Sequence, residues 1–336
     1  MKGISTGDKF RLLNVGRALR KKSDSNGNHQ TVSEWLRGLG QSERIRQRFW
    51  YPMAVATLNE SPDQASAGMM KKVLEIAFGG DRAGASIGIS RVGLSDLYTT
   101  GARDYIEARG GQVRAGAPVR RLVIDKNRVT AVELKDGEIV AADAFISAVP
   151  PAAFLDLLPA DLRAREFAPV AALTSSPIVS INLWFDRPVI DREFVGLLGT
   201  RIQWLFNKDA IFANGKQTNQ IAIVISAARD CVDWNKSALV EMAVAELAEL
   251  IPESRSAKLL HSVIVKEREA TISHTVESDY LRPGARTPLA NLILAGDWTA
   301  TGLPATIESA VMSGNLAAEI IDGNSHRGHR EHRKSF

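Results

Sequence analysis

The sequence predicts a mixed α/β (α+β) protein of two domains, each built from pieces that alternate along the chain. Helical patterns fill the first third of the sequence, short apolar strands separated by turns fill the middle, and a strand, a loop and a helix follow near the end. A length of 336 residues is typical of about two domains. The 45% of apolar residues is enough to give each of them a hydrophobic core.

The first helices are predicted from their capping and stop signals. Thr31 and Glu34 have the spacing of a capping box, in which each side chain accepts a hydrogen bond from the backbone of the other residue. A second helix begins at Ser42 and is expected to stop before Pro52, because proline cannot donate the helical hydrogen bond. Glycine pairs end the two later helices. The predicted helices cover residues 31–39, 42–51, 66–78 and 95–109.

Short alternating segments then predict antiparallel sheets. Turn sequences at 125–127 and 135–137 separate the first segments, which indicates a β-meander. An amphipathic helix is predicted over 237–251. Its inward residues are Leu239, Ala243, Leu247, Leu250 and Ile251. The predicted strands are 112–115, 119–125, 129–134, 138–141, 144–149, 178–185, 203–206, 221–226 and 262–266.

The segment 291–321 carries the most functional information. A short apolar strand runs into Gly296 and Asp297. After a glycine-bearing loop, a helix begins at Pro304 and is expected to end near Ile321. The loop directs free backbone N–H groups and the positive end of the helix beyond the strand. This arrangement suits the ribityl chain and the electron-rich edge of a flavin, although an ordinary strand–loop–helix crossover explains it equally well on physical grounds.

The wording of this segment carries a family resemblance. The strings LAGDWT (residues 294–299) and GLPATIE (302–308) resemble the C-terminal flavin-contacting motif of the amine-oxidase and phytoene-desaturase type of FAD proteins. Within that group they are most similar to the hydroxysqualene dehydroxylases, also called squalene-associated FAD-dependent desaturases. The resemblance covers residues 5–322 and is also carried by 49–52, 57–59, 177–179, 183–188 and 265–271.

The resemblance implies an FAD-binding fold from which one part is missing. Members of the family begin with a strand, a G-x-G-x-x-G turn and a helix that binds the FAD pyrophosphate. That motif occurs nowhere in this sequence, and Gly38 and Gly40 lack the third glycine. We therefore expect a chain that lacks its N-terminal βαβ unit and binds FAD poorly by itself. Three explanations are open: a start codon placed too far downstream, a truncated gene, or a separate polypeptide that supplies the missing part.

The resemblance also divides the chain into an FAD-binding part and a substrate part. The FAD-binding part is expected over 94–150 and 288–323, with a strand over 291–295 in one sheet with 144–149. The substrate domain is expected to comprise helices in 1–93 and an antiparallel sheet with helices in 151–287, followed by a disordered basic tail over 324–336. The cofactor-binding residues implied by the resemblance are Val119, Ala148, Gly296, Asp297, Trp298, Thr306 and Ile307.

The resemblance implies a chemistry as well. Hydroxysqualene would lose its allylic hydroxyl as water and take a hydride from reduced FAD, which gives squalene for hopanoid synthesis. A C30 isoprenoid has almost no hydrogen-bonding groups, so its site is expected to be an apolar tunnel. Its expected walls are Phe49, Trp50, Trp184 and Trp204. The polar candidates for a catalytic role are Tyr51, Glu267 and Arg268, for which no spacing argument exists.

Composition limits the remaining classes. No apolar stretch approaches the roughly 18 residues of a membrane span, and residues 1–20 lack the apolar core of a signal peptide. The single cysteine, Cys231, fits a reducing cytoplasm. The basic segment 9–22 favours a helix packed on the protein, with peripheral contact to the inner membrane as the alternative. Neither nucleic acid nor a metal ion is expected as a partner, since no recognised motif accompanies the charge.

Two other classes of function stay open. A carotenoid (phytoene-type) desaturase or a flavin amine oxidase would share the C-terminal motif. A non-catalytic fragment that cannot hold FAD alone would share it too. An amine oxidase is expected to show a polar or aromatic cage for its amine, and the sequence does not locate one.

Overall fold

The chain folds into two compact units built from alternating segments. The computed structural model describes residues 6–20, 29–79, 86–212 and 217–332, the last nine of them by backbone alone. Unit 1 comprises 1–113 and 175–271, and unit 2 comprises 114–174 and 272–336. The sequence assigned 94–113 to the FAD-binding part and 151–174 to the substrate part, whereas the structure groups 94–113 with unit 1 and 151–174 with unit 2.

Thirteen α-helices and ten strands are defined in the described part of the chain. The helices are α1 Thr6–Arg20, α2 Val32–Gly38, α3 Glu43–Ile45, α4 Tyr51–Leu58, α5 Ala67–Gly79, α6 Leu94–Glu107, α7 Pro151–Asp156, α8 Ala160–Glu166, α9 Ala168–Ala171, α10 Lys208–Ile211, α11 Lys236–Leu250, α12 Ser278–Leu281 and α13 Ile307–His332. The strands are β1 Val119–Asp125, β2 Arg128–Leu134, β3 Ile139–Ala141, β4 Phe145–Ser147, β5 Ser175–Phe185, β6 Phe194–Gly196, β7 Trp204–Asn207, β8 Gln220–Ile225, β9 Leu259–Ile272 and β10 Leu292–Leu294.

The helices of unit 1 follow their predicted signals with one exception. The capping box of Thr31 and Glu34 is present at the start of α2, which confirms that prediction. The predicted stop before Pro52 is wrong, because a π-helical turn over Arg46–Trp50 leads directly into α4, with Pro52 in its first turn. Because Pro52 has no N–H to donate, a helix that continues through it departs from regular α geometry, and the π-helical turn is that departure.

The sheet of unit 1 has the strand order β6-β7-β8-β5-β9. Its pairs β6–β7, β7–β8 and β5–β8 are antiparallel. Alternate residues of β5 and β8 are buried and pack with Leu239, Ala243 and Leu247 of α11. The predicted inward position of Leu250 is wrong, since that side chain is 40% exposed at the end of α11. The other face of the sheet is therefore free of this helix.

A buried asparagine joins three elements of unit 1. Asn59 ends α4 in the left-handed conformation, with φ of 49°. Its amide nitrogen donates to the carbonyl oxygen of Ser176 and to Oγ1 of Thr271, each at 3.0 Å. Its amide oxygen accepts from the N–H of Ala227 at 2.7 Å. Asparagine tolerates this conformation and supplies both a donor and an acceptor, so it holds the end of α4 against the sheet.

Unit 2 contains the predicted meander and a parallel strand pair. Strands β1, β2 and β3 pair antiparallel in sequence order, which confirms the meander, whereas the predicted strand over 112–115 is absent among these described residues. Strand β10 pairs parallel with β4, as predicted for 291–295 and 144–149. Helix α13 packs Ala317 and Ile320 against Ile293 of β10 and the following Ala295. In the first turn of α13, the hydroxyl of Ser309 donates to the carbonyl oxygen of Asp297 at 3.2 Å, so the start of the helix lies beside the segment after β10.

The N-terminal and C-terminal helices add to what the sequence predicted. Helix α13 continues past Gly323 to His332, where the sequence expected an end near Ile321 and a disordered tail. Glycine in a helix interior costs only about 1 kcal/mol, so Gly323 does not oblige the helix to stop. In α1, Val15 is 2% exposed and packs with the helices of unit 1, while Phe10 is 68% exposed. No helix of the described residues is long and apolar enough to cross a membrane.

Candidate functional site

The candidate cofactor site of unit 2 lies at the carboxyl ends of β4 and β10. The N–H of Ala295 donates to the carbonyl oxygen of Ser147 at 2.9 Å, so the two strands end side by side. Asp297 follows β10 directly, as predicted. Ligands of parallel sheets bind at the carboxyl ends of the strands. The hydroxyl of Ser147 is buried there and has no hydrogen-bond partner among the described residues.

The loop between β10 and α13 uses most of its own N–H groups. The N–H of Gly296 donates to Oγ of Ser313 at 2.7 Å, and Thr299, Ala300 and Thr301 donate to backbone carbonyls. In contrast, the N–H groups of Thr306, Ile307 and Glu308 have no acceptor among the residues that the structure describes. An α-helix leaves such N–H groups free in its first turn, and they attract negative or electron-rich groups.

Asp297 is half-buried at the start of this loop. Its carboxylate accepts hydrogen bonds from its own N–H and from that of Trp298. Burial raises the pKa of Asp297, while the charge of Arg282 and these two hydrogen bonds oppose the shift. A carboxylate has about four acceptor positions, so the local N–H groups leave some of them for another donor. Asp297 thus caps its own loop and keeps acceptor capacity.

Trp298 lies in the core of unit 2. Its side chain is 2% exposed and packs near Phe154, with ring centroids 6.1 Å apart. Its indole also fills the space beside Gly296, whose φ is 119° and whose added Cβ would meet Nε1 at 2.7 Å. The sequence placed Trp298 beside the flavin, but almost none of its surface is accessible in the structure. Its position explains instead why residue 296 has to be glycine.

The other predicted cofactor contacts are spread over unit 2. Thr306 and Ile307 are exposed at the start of α13, beside the open N–H groups. Ala148 is exposed directly after β4, one residue beyond the buried hydroxyl of Ser147. Val119 begins β1 in the meander and is partly buried. The structure therefore brings Ala148 to the same end of the parallel pair as Asp297, and it places Val119 in the meander.

Unit 1 holds an apolar cavity of about 430 Å³ on the sheet face opposite α11. Phe194 lies 6.3 Å from both Trp204 and Phe206, measured between ring centroids. Gly196 admits the ring of Trp204, since an added Cβ there would approach it to 3.1 Å. The lining residues carry no charge, and they are Ala56, Ile87, Gly88, Ile89, Ser90, Phe194, Trp204, Phe206, Val224 and Ser226.

Of the four predicted tunnel residues, Trp204 lines this cavity and the other three do not. Trp50 is 5% exposed, and its Nε1 donates to Oε1 of Gln41 at 3.1 Å within the helical core. Phe49 packs edge-on against Trp50 at 4.8 Å. Trp184 lies on β5 and packs near His261, with ring centroids 5.1 Å apart. The sequence could not distinguish aromatic residues of the core from those of the cavity wall, because the same residue types occur in both places.

The three predicted catalytic residues do not line the cavity either. The hydroxyl of Tyr51 accepts hydrogen bonds from Oγ of Ser33 and Nη1 of Arg46, each at 2.9 Å. Glu267 is exposed on β9. Arg268 is exposed as well and forms an ion pair with Asp233 at 2.6 Å. Their catalytic roles stay predictions that these contacts do not support.

Two buried residues of unit 2 contact the loop and were missed by the sequence analysis. Arg282 donates to the carbonyl oxygens of Asp297 at 2.8 Å and Leu303 at 2.7 Å. His274 accepts a hydrogen bond of 2.7 Å from the N–H of Ala305 at Nε2. A single arginine and a single histidine between apolar segments have no spacing signal, so only the structure identifies them.

A parallel strand pair, an acid at its carboxyl end and open N–H groups at the following helix are typical of nucleotide- and flavin-binding proteins. The chain belongs to the flavin containing amine oxidoreductase family, whose sequence pattern matches residues 4–322. Family membership confirms the predicted fold class, and the members of this family are flavin-containing oxidoreductases.

Individual relatives agree with this family. The chain is 34% identical over 279 residues to a hydroxysqualene dehydroxylase of Sinorhizobium fredii, which covers 82% of the chain and 62% of that protein. It is 27% identical to a 15-cis-phytoene desaturase of Synechococcus elongatus, over 86% of the chain and 64% of that protein. An oxidoreductase structure from Methanosarcina mazei matches with a TM-score of 0.72 at 19% identity, over 94% of the chain and 73% of that structure. The chain thus spans less than two thirds of the length of these two curated relatives.

Proposed function

We propose that the chain holds the flavin end of FAD at the carboxyl ends of β4 and β10. Three features support a fit: the unpartnered buried hydroxyl of Ser147, the spare acceptor capacity of Asp297 and the open N–H groups in the first turn of α13. Hydroxyl groups suit the acid, and an electron-rich ring edge suits the N–H groups. When bound, reduced FAD supplies the hydride for a reduction.

We further propose that the whole protein reduces hydroxysqualene to squalene in isoprenoid synthesis. The observation that carries this proposal is the uncharged cavity of unit 1, in which Phe194, Trp204 and Phe206 form an aromatic wall. A C30 isoprenoid binds through apolar area alone, and a pocket of this size and character suits part of such a chain. The similarity to a hydroxysqualene dehydroxylase supports the same substrate class.

In the proposed reaction, the side chains that line the cavity do not act as acids or bases. The allylic hydroxyl leaves as water and so has to receive a proton, while the carbon that it leaves receives the hydride. The polar side chains of the cavity lining are the hydroxyls of Ser90 and Ser226. These hydroxyls hydrogen-bond well to an alcohol but are weak acids, so in this proposal they orient the substrate and the proton comes from solvent.

The substrate proposal is tested by the product. The chain is joined to the N-terminal segment of the Sinorhizobium fredii relative, loaded with FAD and kept reduced with dithionite. Hydroxysqualene is then added, and the extract is analysed by gas chromatography. Squalene formation supports the proposal. Loaded flavin with hydroxysqualene recovered unchanged refutes it.

A phytoene-type desaturase is the second candidate. The similarity to a 15-cis-phytoene desaturase favours it, and an uncharged aromatic cavity suits a carotenoid as well as a triterpenoid. The two differ in the direction of electron flow, because desaturation removes hydrogen from the substrate and needs oxidised FAD. The two proposals are therefore separated by supplying phytoene to the oxidised enzyme together with a quinone acceptor. A desaturase would lengthen the conjugated double-bond system of phytoene, which is measured by its absorbance.

Peripheral contact with an anionic membrane is proposed for α1. Phe10 is 68% and Leu13 54% exposed on this helix, beside basic residues. An apolar and basic surface of this kind binds the interface of anionic bilayers. Flotation with phosphatidylglycerol vesicles tests the contact, and the double change Phe10→Ser with Leu13→Ser should abolish it. Equal flotation of both proteins would argue against a role for α1.

A further inference from the structure

Arg282 lies behind the loop that connects β10 to α13. Its side chain is 7% exposed, and its guanidinium donates to four backbone carbonyls of that loop. The acceptors are the oxygens of Asp297 at 2.8 Å, Trp298 at 3.3 Å, Leu303 at 2.7 Å, and Thr299. One buried charge thereby satisfies the carbonyls of residues that are up to six positions apart.

His274 holds the far end of the same loop. The N–H of Ala305 donates to Nε2 at 2.7 Å, and the side chain is 1% exposed. Burial, followed by the charge of Arg282, lowers the pKa of His274 to about 3, so the ring is neutral near pH 7. A neutral imidazole has one donor and one acceptor nitrogen. Because Nε2 accepts from Ala305, the proton is on Nδ1.

These two contacts set the direction of the peptide groups in the loop that leads into α13. The carbonyl of one residue and the N–H of the next point in opposite directions across a trans peptide. Carbonyls that face Arg282 therefore turn the following N–H groups away from it. The N–H of Trp298 donates to the carboxylate of Asp297 and that of Thr299 to the carbonyl of Gly296, whereas the N–H of Ala300 donates to the carbonyl of Pro283. The N–H groups of 306–308, directly after the His274 contact, have no acceptor among the described residues.

We propose that Arg282 and His274 are positioning residues, which hold the loop so that the N–H groups of 306–308 are presented to the flavin. Neither side chain has surface with which to touch a ligand, since both are almost fully buried. They act through the backbone of 297–305, which they hold at both ends. This inference rests on the proposed binding of FAD to unit 2.

Variants at His274 and Arg282 separate positioning from general packing. His274→Gln keeps an acceptor near the position of Nε2, whereas His274→Leu fills the same space without one. Arg282→Lys keeps the positive charge, but an ammonium group has too few N–H donors to bond all four carbonyls that the guanidinium contacts. Arg286→Met is the matched control, because Arg286 is exposed four residues further on. Urea unfolding of each 336-residue variant confirms that it is folded.

The first measurement is hydrogen exchange of the flavin-free protein, followed by mass spectrometry of peptides that cover 297–308. Loss of the hydrogen bond to His274 should speed exchange at Ala305 and its neighbours about tenfold in His274→Leu, and His274→Gln should restore the slow rate. Arg282→Lys should speed exchange over 297–303, and Arg286→Met should not. Equal loop exchange in wild type and His274→Leu would overturn the proposal, whatever the flavin does.

The second measurement is FAD titration by flavin fluorescence of the same variants and wild type, each joined to the N-terminal segment of the Sinorhizobium fredii relative. His274→Leu should bind FAD about tenfold more weakly than wild type, with affinity recovered in His274→Gln. Equal affinity of His274→Leu and wild type would also overturn the positioning role. Wild type that binds no FAD, despite the expected exchange pattern, would instead refute FAD binding by this chain and the flavin role with it.

Discussion

The indole Nε1 of Trp298 donates a hydrogen bond of 3.0 Å to the carbonyl oxygen of Val149, 149 residues earlier in the chain. This contact joins the segment after β10 to the segment after β4, so the two parallel strands end in a fixed relation. Trp298 therefore shapes the candidate site from within the core, where its ring packs near Phe154.

Replacement of Trp298 tests this structural role. Trp298→Ala should lower the free energy of unfolding by about 3–5 kcal/mol, because it leaves a large cavity in the core of unit 2. Trp298→Phe should cost about 1–3 kcal/mol, chiefly for the lost hydrogen bond to Val149. Urea unfolding provides the measurement, and Trp234→Ala serves as control because Trp234 is 36% exposed. If Trp298→Ala had the stability of wild type but impaired turnover, Trp298 would instead contact the flavin, as the sequence predicted.

Asp297 is the acid on which FAD affinity should depend most. Asp297→Ala removes a charged acceptor worth about 1.5–3 kcal/mol, so we expect FAD to bind at least tenfold more weakly. Asp297→Asn keeps one acceptor oxygen and should lose less. Calorimetric titration of the chain joined to the N-terminal segment of the Sinorhizobium fredii relative measures this, with Asp143→Asn on the surface of unit 2 as the control. If Asp297→Ala bound FAD with unchanged affinity, the carboxylate would serve only to cap its own loop.

His274 should give the protein a pH-dependent stability. Its pKa is about 3 in the folded protein against 6.5 for the unfolded group, so the folded state binds fewer protons between these values. Its contribution is therefore fully present above pH 6.5 and is lost as the pH falls toward 3. The stability difference between wild type and His274→Gln should change by about 1.4 kcal/mol per pH unit in that window. If the difference in unfolding free energy between wild type and His274→Gln were the same at pH 5 and pH 7, His274 would not be buried as a neutral ring.

Two tryptophans on one sheet face provide a matched test of the cavity. Trp204 lines it, whereas Trp184 lies on the same face beside His261. Loss of a buried aromatic wall costs about 1.5–3 kcal/mol of binding, so Trp204→Ala should raise KM for the isoprenoid at least tenfold. Trp184→Ala should change it little. The reverse order of effects would place the substrate outside this cavity.

How far the sequence predicted the molecule depends on the range of the interaction concerned. Capping boxes, turns and strand alternation are local, so α2 and the meander were predicted correctly from them. The pairing of β4 with β10 is long-range, and it was predicted through the family resemblance. Pro52 was misjudged because the preceding π-helical turn does not follow from local propensity.

The candidate site divides in the same way. Asp297 belongs to a contiguous motif, so the sequence predicted its position after β10, and its role toward FAD stays a prediction. Arg282 and His274 act on carbonyl and N–H groups that a sequence does not display, and burial alone distinguishes Trp298 from Trp204. Long-range hydrogen bonds and burial are properties of the folded chain, so these roles became visible only in the structure.

The most direct test of the proposed function is the fate of hydroxysqualene with the joined protein and reduced FAD. We expect one squalene formed for each reduced flavin consumed in a single turnover. In D2O the squalene should carry one deuterium, because the N5 hydrogen of reduced flavin exchanges with solvent before it is transferred. We also expect a lower rate in Trp204→Ala. Flavin that reoxidises without squalene, or a protein that converts phytoene but leaves hydroxysqualene intact, would contradict the account.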